Sequence, residues 1–282
     1  MFLAAKTPDR PPHYDDAALS CGGLIHQQTQ AGQLALVVTV CAAPPDSNEA
    51  LSPFAQSQHR QWGHPGDVIA ARQAEDQAAM QILGADYLRL RFRDCIYRGD
   101  PRQEEWFYLS EADLFGQVHP AEQFLVAEIA AAILELVPAE NGTLLYAPLA
   151  LGHHVDHQLV RAAAWQLRDY GYRLVFYEDY PYADPHYAAK YRQTDPVTLA
   201  AQQPGSLQAR LCWLAEADLA AKIAAIAAYA SQLAVLFGRE ADMAGRVHNL
   251  ARQVGQGTPG PRSADIVATT ILVGWNGYSR RR

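Results

Sequence analysis

The residues most able to do chemistry fall in two clusters, Pro12-His13-Tyr14-Asp15-Asp16 near the start of the chain and Gly152-His153-His154-Val155-Asp156-His157 near its middle. Imidazoles and carboxylates in this mix suit zinc. Two histidines and one carboxylate leave a fourth position for water, the ligand count of a catalytic rather than a structural ion. Consecutive side chains diverge, so Asp15 and Asp16 do not readily bind one ion together. One can ligate while the other stands over the ion's water as a base. The same donor set accepts ferrous iron, as in oxygenases built on two histidines and a carboxylate. Each cluster also has a plain reading, with Asp156 as a helix N-cap and the histidines as surface or core groups.

Other chemistries leave no trace. Gly22-Gly23 does not make a G-x-G-x-x-G motif, so a dinucleotide fingerprint is absent, and neither a G-x-S-x-G elbow nor a P-loop occurs, which weakens serine-hydrolase and nucleotide-hydrolase readings. Cys21, Cys41, Cys95 and Cys212 lie far apart with no C-x-x-C pair, so a zinc knuckle or disulfide framework is not expected, and a reducing cytoplasm fits. Cys21 reads as a small core residue. His26, His59, His64, His119, His186 and His248 have no comparable company and read as ordinary solvated or packed groups.

The elements that must position the two clusters alternate in type. LALVVTVCAA (34–43) is a short apolar run rich in β-branched residues, as expected of a strand buried on both faces of a parallel sheet. Similar runs at 86–92, 143–147 and 173–177 are separated by helical patterns at about 67–83, 121–137 and 156–170, with Asp67 and Asp156 as caps and Gly84 and Gly171 as stops. Strand alternating with helix predicts an α/β class, a Rossmann-like layered fold with a mostly parallel sheet and helices on both faces. The second cluster then follows a strand and opens a helix, where open α/β sheets bind ligands. Residues 6–12 carry three prolines that cannot donate to a ladder, so a first strand is expected only over 1–5 or not at all. Segment 44–66 reads as a long loop, 216–237 and 239–254 as helices, and 185–282 as a mostly helical C-terminal part of one domain covering 1–282.

A formal charge of −7 argues against nucleic acid as a partner. No signal peptide is read at the start of the chain. No run of about 18 uncharged apolar residues would span a bilayer.

PHYDDAALSCGG (12–23) and GHHVDHQLV (152–160) resemble the LmbE/PIG-L family of zinc-dependent sugar de-N-acetylases, whose first motif reads approximately A/P-H-P-D-D-E and whose second reads H-x-D-H. The resemblance extends to Arg72 and Glu75 in ARQAEDQAAMQILGAD (71–86), to RDCIYR (93–98) and to FYEDYPYA (176–183). It implies zinc ligation by His13, Asp16 and His157, Asp15 as general base, and His154 as oxyanion stabiliser or proton donor to the leaving amine. It further implies Arg72 and Asp94 as groups that hold sugar hydroxyls, and Tyr177 to Tyr180 as a rim or a loop packed on the sheet. The implied reaction removes an N-acetyl group from an N-acetylglucosamine-type sugar of a small-molecule conjugate. The cofactor is Zn²⁺ or another divalent ion such as Fe²⁺, the compartment cytoplasmic, and homo-oligomerisation an open question. A catalytically impaired sugar-binding protein of the same fold is the alternative, because Ala17 stands where the family carries an acidic residue.

Overall fold

The computed structural model describes residues 7–9, 13–63, 67–139, 143–184, 187, 199, 207–238, 242–256 and 267–274. In chain order the first half contains β1 (Thr7–Asp9), α1 (Asp16–Gln30), β2 (Ala35–Thr39), α2 (Pro53–Gln61), α3 (Val68–Leu83), β3 (Asp86–Arg89), the hairpin β4 (Gly99–Asp100) and β5 (Glu105–Trp106), α4 (Glu111–Leu114) and α5 (Phe124–Leu136). There follow β6 (Leu144–Pro148), α6 (Val155–Arg168), β7 (Arg173–Tyr177), β8 (Leu207–Leu214), α7 (Glu216–Ala227), α8 (Ala230–Phe237), α9 (Met243–Gln256) and β9 (Val267–Gly274).

The result is a mixed α/β fold in which the sheet is less uniform than the alternation suggests. β1, β2 and β3 form a three-stranded parallel sheet, and β6 pairs parallel with β7. The second sheet then turns mixed, because β9 runs antiparallel to both β7 and β8 in the order β6-β7-β9-β8. The expected parallel arrangement thus covers the strands that carry the two clusters and stops at the C-terminal part.

Most predicted elements fall where their patterns put them. α3 starts on Asp67, whose carboxylate accepts from the Ile69 and Ala70 amides, and ends on Gly84 at φ 68°, a left-handed position that suits glycine. Four differences have local causes. A first strand exists despite the prolines, since Thr7–Asp9 pairs with Ala35–Val37 as the edge of its sheet, where a missing N–H is tolerated. Segment 44–66 is not a plain loop but contains α2, started by Ser52 accepting from Ala55 N with Pro53 at the first helical position. The 216–237 helix is broken into α7 and α8, bent by 101°. β8 was not foreseen, although Leu207, Ala209, Leu211 and Trp213 alternate with Gln208, Arg210 and Cys212. The residues 1–6, and with them the whole of the strand expected over 1–5, lie outside the described residues, as do His64 and His186. Among the described residues no single helix is long and apolar enough to cross a membrane.

The core is continuous from α1 and β2 through β6, α6 and β7. α1 is buried along Asp16–Ile25, so its first turn is held rigidly beneath the site. Met80, Leu83, Phe176 and Tyr177 are among its largest fully buried side chains, and each such burial contributes roughly 1.5–3 kcal/mol. The break between α7 and α8 places Tyr229 in this core. Its hydroxyl donates to the Tyr14 carbonyl at 2.7 Å and lies 3.1 Å from Asp76 Oδ1. Asp76 is buried, which raises its carboxyl to about 6 against the opposing hydrogen bonds of Arg89. Tyr229→Phe is expected to lower stability by about 1–3 kcal/mol, because a buried carbonyl and carboxyl lose a shared donor; chemical denaturation at constant pH measures it.

Candidate functional site

The site is assembled at the carboxyl ends of the parallel strands. His13, Asp15 and Asp16 follow β1, Asp94 and Cys95 follow β3, His153 to His157 follow β6, and Asp179 follows β7. The turn after β6 is tightly determined. Leu151 N donates to Asp179 Oδ2 at 3.1 Å, Arg161 Nη1 to Leu149 O at 2.9 Å, and Ala150 and His153 are held at φ 61° and 59°, costly for residues with a Cβ. At Gly152 a Cβ would meet the Tyr182 ring at 2.5 Å, so only glycine allows this close approach.

The two imidazoles are oriented by the same device. His157 Nδ1 lies 2.6 Å from Asp179 Oδ1, and His13 Nε2 lies 2.9 Å from Asp156 Oδ2. Each ring thereby gives its outer N–H to a buried carboxylate and turns its inner nitrogen toward Asp16, whose Oδ2 is 3.4 Å from His13 Nδ1 and 3.3 Å from His157 Nε2. The His13 amide also donates to that oxygen at 2.9 Å. Two nitrogen lone pairs and a carboxylate oxygen facing one point repel unless something positive lies between them.

The electrostatics say the same. Burial alone would lower His13, but Asp94, Asp156 and Asp16 reverse that and carry it well above the ordinary imidazole range. His157 is likewise opposed by burial and pushed up to about 9 by Asp16 and Asp179. Burial works against the Asp16 carboxylate too, yet His157 and His13 hold it well below the usual range. The donor set therefore fits a divalent cation, which would replace the protons that otherwise neutralise it. His13, His154 and His157 also approach closely enough to share an ion. His154, however, uses Nδ1 to accept the Asp156 amide at 3.3 Å as the N-cap of α6, a role expected of Asp156. Burial, followed by the charge of His13, keeps His154 well below its ordinary value, so it is neutral with its N–H on Nε2.

Around this centre stand the other expected residues. Asp15 is 7% exposed, and burial raises its carboxyl while Arg72, with Nη2 3.7 Å away, opposes the rise. Arg72 is not a surface charge: it is 5% exposed and packs over the Trp62 ring at 4.5 Å. Asp94 places Oδ2 3.6 Å from His13 Nε2 and caps the 3-10 turn Cys95–Tyr97 through Ile96 N. His13, Asp15, Asp16, Arg72, Asp94 and His154 all line one open cleft of about 880 Å³, its solvent-filled mouth included. Its outer walls are Gln58, Gln61 and Trp62 at the end of α2, Leu114 and Phe115 by α4, Tyr182, and Gln232, Val235 and Leu236 of α8.

Several functional contacts escaped the sequence reading. Asp156 is fully buried and holds His13 and Arg98 instead of capping α6. Asp179 is no rim residue but the buried partner of His157. Only the H-x-D-H and E-D strings could have hinted at these carboxylates, because their partners lie in other elements. His59, read as ordinary, sits beside the cleft with Nε2 2.6 Å from Tyr97 OH and its ring stacked on Trp62.

The family model for GlcNAc-PI de-N-acetylase (PIG-L) matches residues 11–168. A 2'-N-acetylparomamine deacetylase of Niallia circulans is 30% identical over 187 residues, covering 62% of this chain and 66% of that protein. Another of Streptomyces fradiae is 29% identical over 216 residues, covering 68% and 67% respectively. The matches span about two thirds of the length of these curated relatives. The solved zinc-inhibited form of teicoplanin deacetylase is 28% identical and superposes with a TM-score of 0.76, covering 94% of this chain and 96% of that one.

If Asp179 orients His157 as described, Asp179→Asn is expected to weaken divalent-cation binding by roughly 10–100-fold while the chain stays folded; calorimetric titration of the metal-free protein with zinc measures the change.

Proposed function

Since the chain belongs to the PIG-L (GlcNAc-PI de-N-acetylase) family, we propose that it is a zinc-dependent deacetylase that hydrolyses the N-acetyl group of an amino sugar carried on a larger glycoconjugate. The observation that carries this reading is the convergence of His13 Nδ1 and His157 Nε2 on Asp16 Oδ2, with His13 and Asp16 lining an open cleft. These three residues would hold the ion. When bound, zinc would lower the pKa of a coordinated water to about 7 and polarise the acetyl carbonyl.

The chain's own groups divide the remaining work. Asp15 lies next to the ligand Asp16 but faces Arg72, whose charge opposes the effect of burial on its carboxyl. It takes the proton released by the attacking water and returns it to the sugar nitrogen as the C–N bond breaks. His154, neutral and carrying its proton on Nε2, gives a hydrogen bond to the acetyl oxygen as negative charge builds there. A neutral imidazole suits that hydrogen bond better than protonation of the amine, for which it would have to give up its proton and become an anion. Arg72 and Asp94, at the cleft wall, present a fork of donors and an acceptor to sugar hydroxyls.

The open cleft and the relatives named as deacetylases of 2'-N-acetylparomamine and of teicoplanin support this substrate class. An N-acetylglucosamine-type sugar is the unit that reaches the ion, and α2, α4 and α8 contact what it is attached to. The binding-only alternative is not favoured: the ligand set and its partners are intact, and the buried Ala17 leaves them undisturbed.

Chelation followed by dialysis should abolish acetate release from N-acetylglucosaminyl conjugates, and zinc should restore it. His13→Ala and His157→Ala should lose the metal. Asp15→Ala should retain it while turnover falls by roughly 10²–10⁴-fold, and undiminished turnover in that variant would overturn Asp15 as the base.

A further inference from the structure

We propose that Arg98, clamped between Asp156 and Glu122, is a positioning residue that fixes the orientation of His13 and so sets the affinity of the site for its divalent ion. The inference rests on the reading of His13 as a metal ligand.

Asp156 is the hinge of the argument. Its Oδ2 receives His13 Nε2 at 2.9 Å and the Cys95 amide at 3.1 Å, while its Oδ1 meets Arg98 Nη1. The carboxylate is fully buried, and Arg98 is the cation set against it. A buried carboxylate that loses such a partner turns away from its site. That would remove the acceptor that keeps the outer N–H of His13 in place and its inner nitrogen aimed at Asp16.

Arg98 is fixed from its far side. Its Nε lies 2.6 Å from Glu122 Oε1, Glu122 receives the Tyr108 hydroxyl at 2.6 Å, and that hydroxyl accepts the His119 amide at 2.9 Å. Nη1 donates to the Arg93 carbonyl at 3.2 Å, and the guanidinium packs over the Tyr108 ring at 5.4 Å. Arg98 and Glu122 are 8% and 2% exposed, so the run Tyr108–Glu122–Arg98–Asp156–His13 is closed to water nearly throughout. A planar fork can face two carboxylates at once, whereas a lysine ammonium is a point charge on a flexible stem. The clamp acts on one ligand only. His157 leans on Asp179, which is held by Leu151 N instead.

The segment between Arg98 and Glu122 also carries Leu114 and Phe115 of the cleft wall. One buried cation therefore ties that wall to the His13 side of the metal centre.

The test compares zinc affinity, by competition with a chromophoric chelator, in the full chain and in Arg98→Lys, Arg98→Met and Glu122→Gln, alongside the unfolding midpoint of each metal-free protein. Arg98→Met is expected to weaken zinc by roughly 10–100-fold, Arg98→Lys by less, and Glu122→Gln by several-fold. In cobalt-loaded protein the visible absorption of Arg98→Lys is expected to shift as His13 reorients. If Arg98→Met fails to fold, the other two variants carry the comparison. A lowered metal-free midpoint with zinc affinity and cobalt spectrum unchanged would make Arg98 merely structural and overturn the inference. Failure of the unaltered chain to bind zinc would overturn the metal reading itself, and this inference with it.

Discussion

Everything at this site depends on one arrangement, two imidazole nitrogens turned toward one carboxylate oxygen, Asp16 Oδ2, at 3.4 and 3.3 Å. The protein enforces it by binding the opposite edge of each ring to a carboxylate that cannot leave, Asp156 for His13 and Asp179 for His157. Such outer partners settle which ring nitrogen carries the proton and hence which one is free to ligate. The buried first turn of α1, the positive-φ turn after β6 and the close approach at Gly152 fix the backbone that carries these groups.

Burying so many acids is tolerable only because each has a local counterweight. Asp156 has Arg98, Asp15 has Arg72 and Asp76 has Arg89. The balance is uneven by design of the geometry. Asp16 and Asp156 are held ionised, while burial prevails at Asp15, whose arginine is 3.7 Å away, and raises its carboxyl. Two adjacent aspartates thus acquire different characters, Asp16 held ionised by the two imidazoles and Asp15 raised by burial. The neighbouring His154 is neutral for the same reason, since burial beside His13 disfavours a second positive charge.

The cleft draws its walls from parts of the chain with no chemical signature. α2 begins on a Ser-Pro pair within a stretch otherwise rich in turn residues, and α8 exists as a separate helix because the chain bends by 101° after α7. That bend lets Tyr229 reach the Tyr14 carbonyl, so the element that walls the cleft is bonded to the loop that carries Asp15 and Asp16. The site and its outer wall are mechanically one piece.

From the sequence alone came the donor types, the divergence of Asp15 from Asp16, and the placing of the second cluster between a strand end and a helix start. These rest on local information: side-chain chemistry, the divergence of adjacent residues, and strand and helix periodicity. The partners of those donors did not come from it. Asp156 meets His13 across 143 positions, and its local context explained it fully as a cap, a role that His154 takes instead. Asp179 looked like part of a rim or of a loop packed on the sheet, Arg98 had no assigned role, and β8 closed a mixed sheet where helix was expected. Pairing between distant segments is decided by how the sheets and helices pack, and no local pattern encodes which buried carboxylate will face which ring.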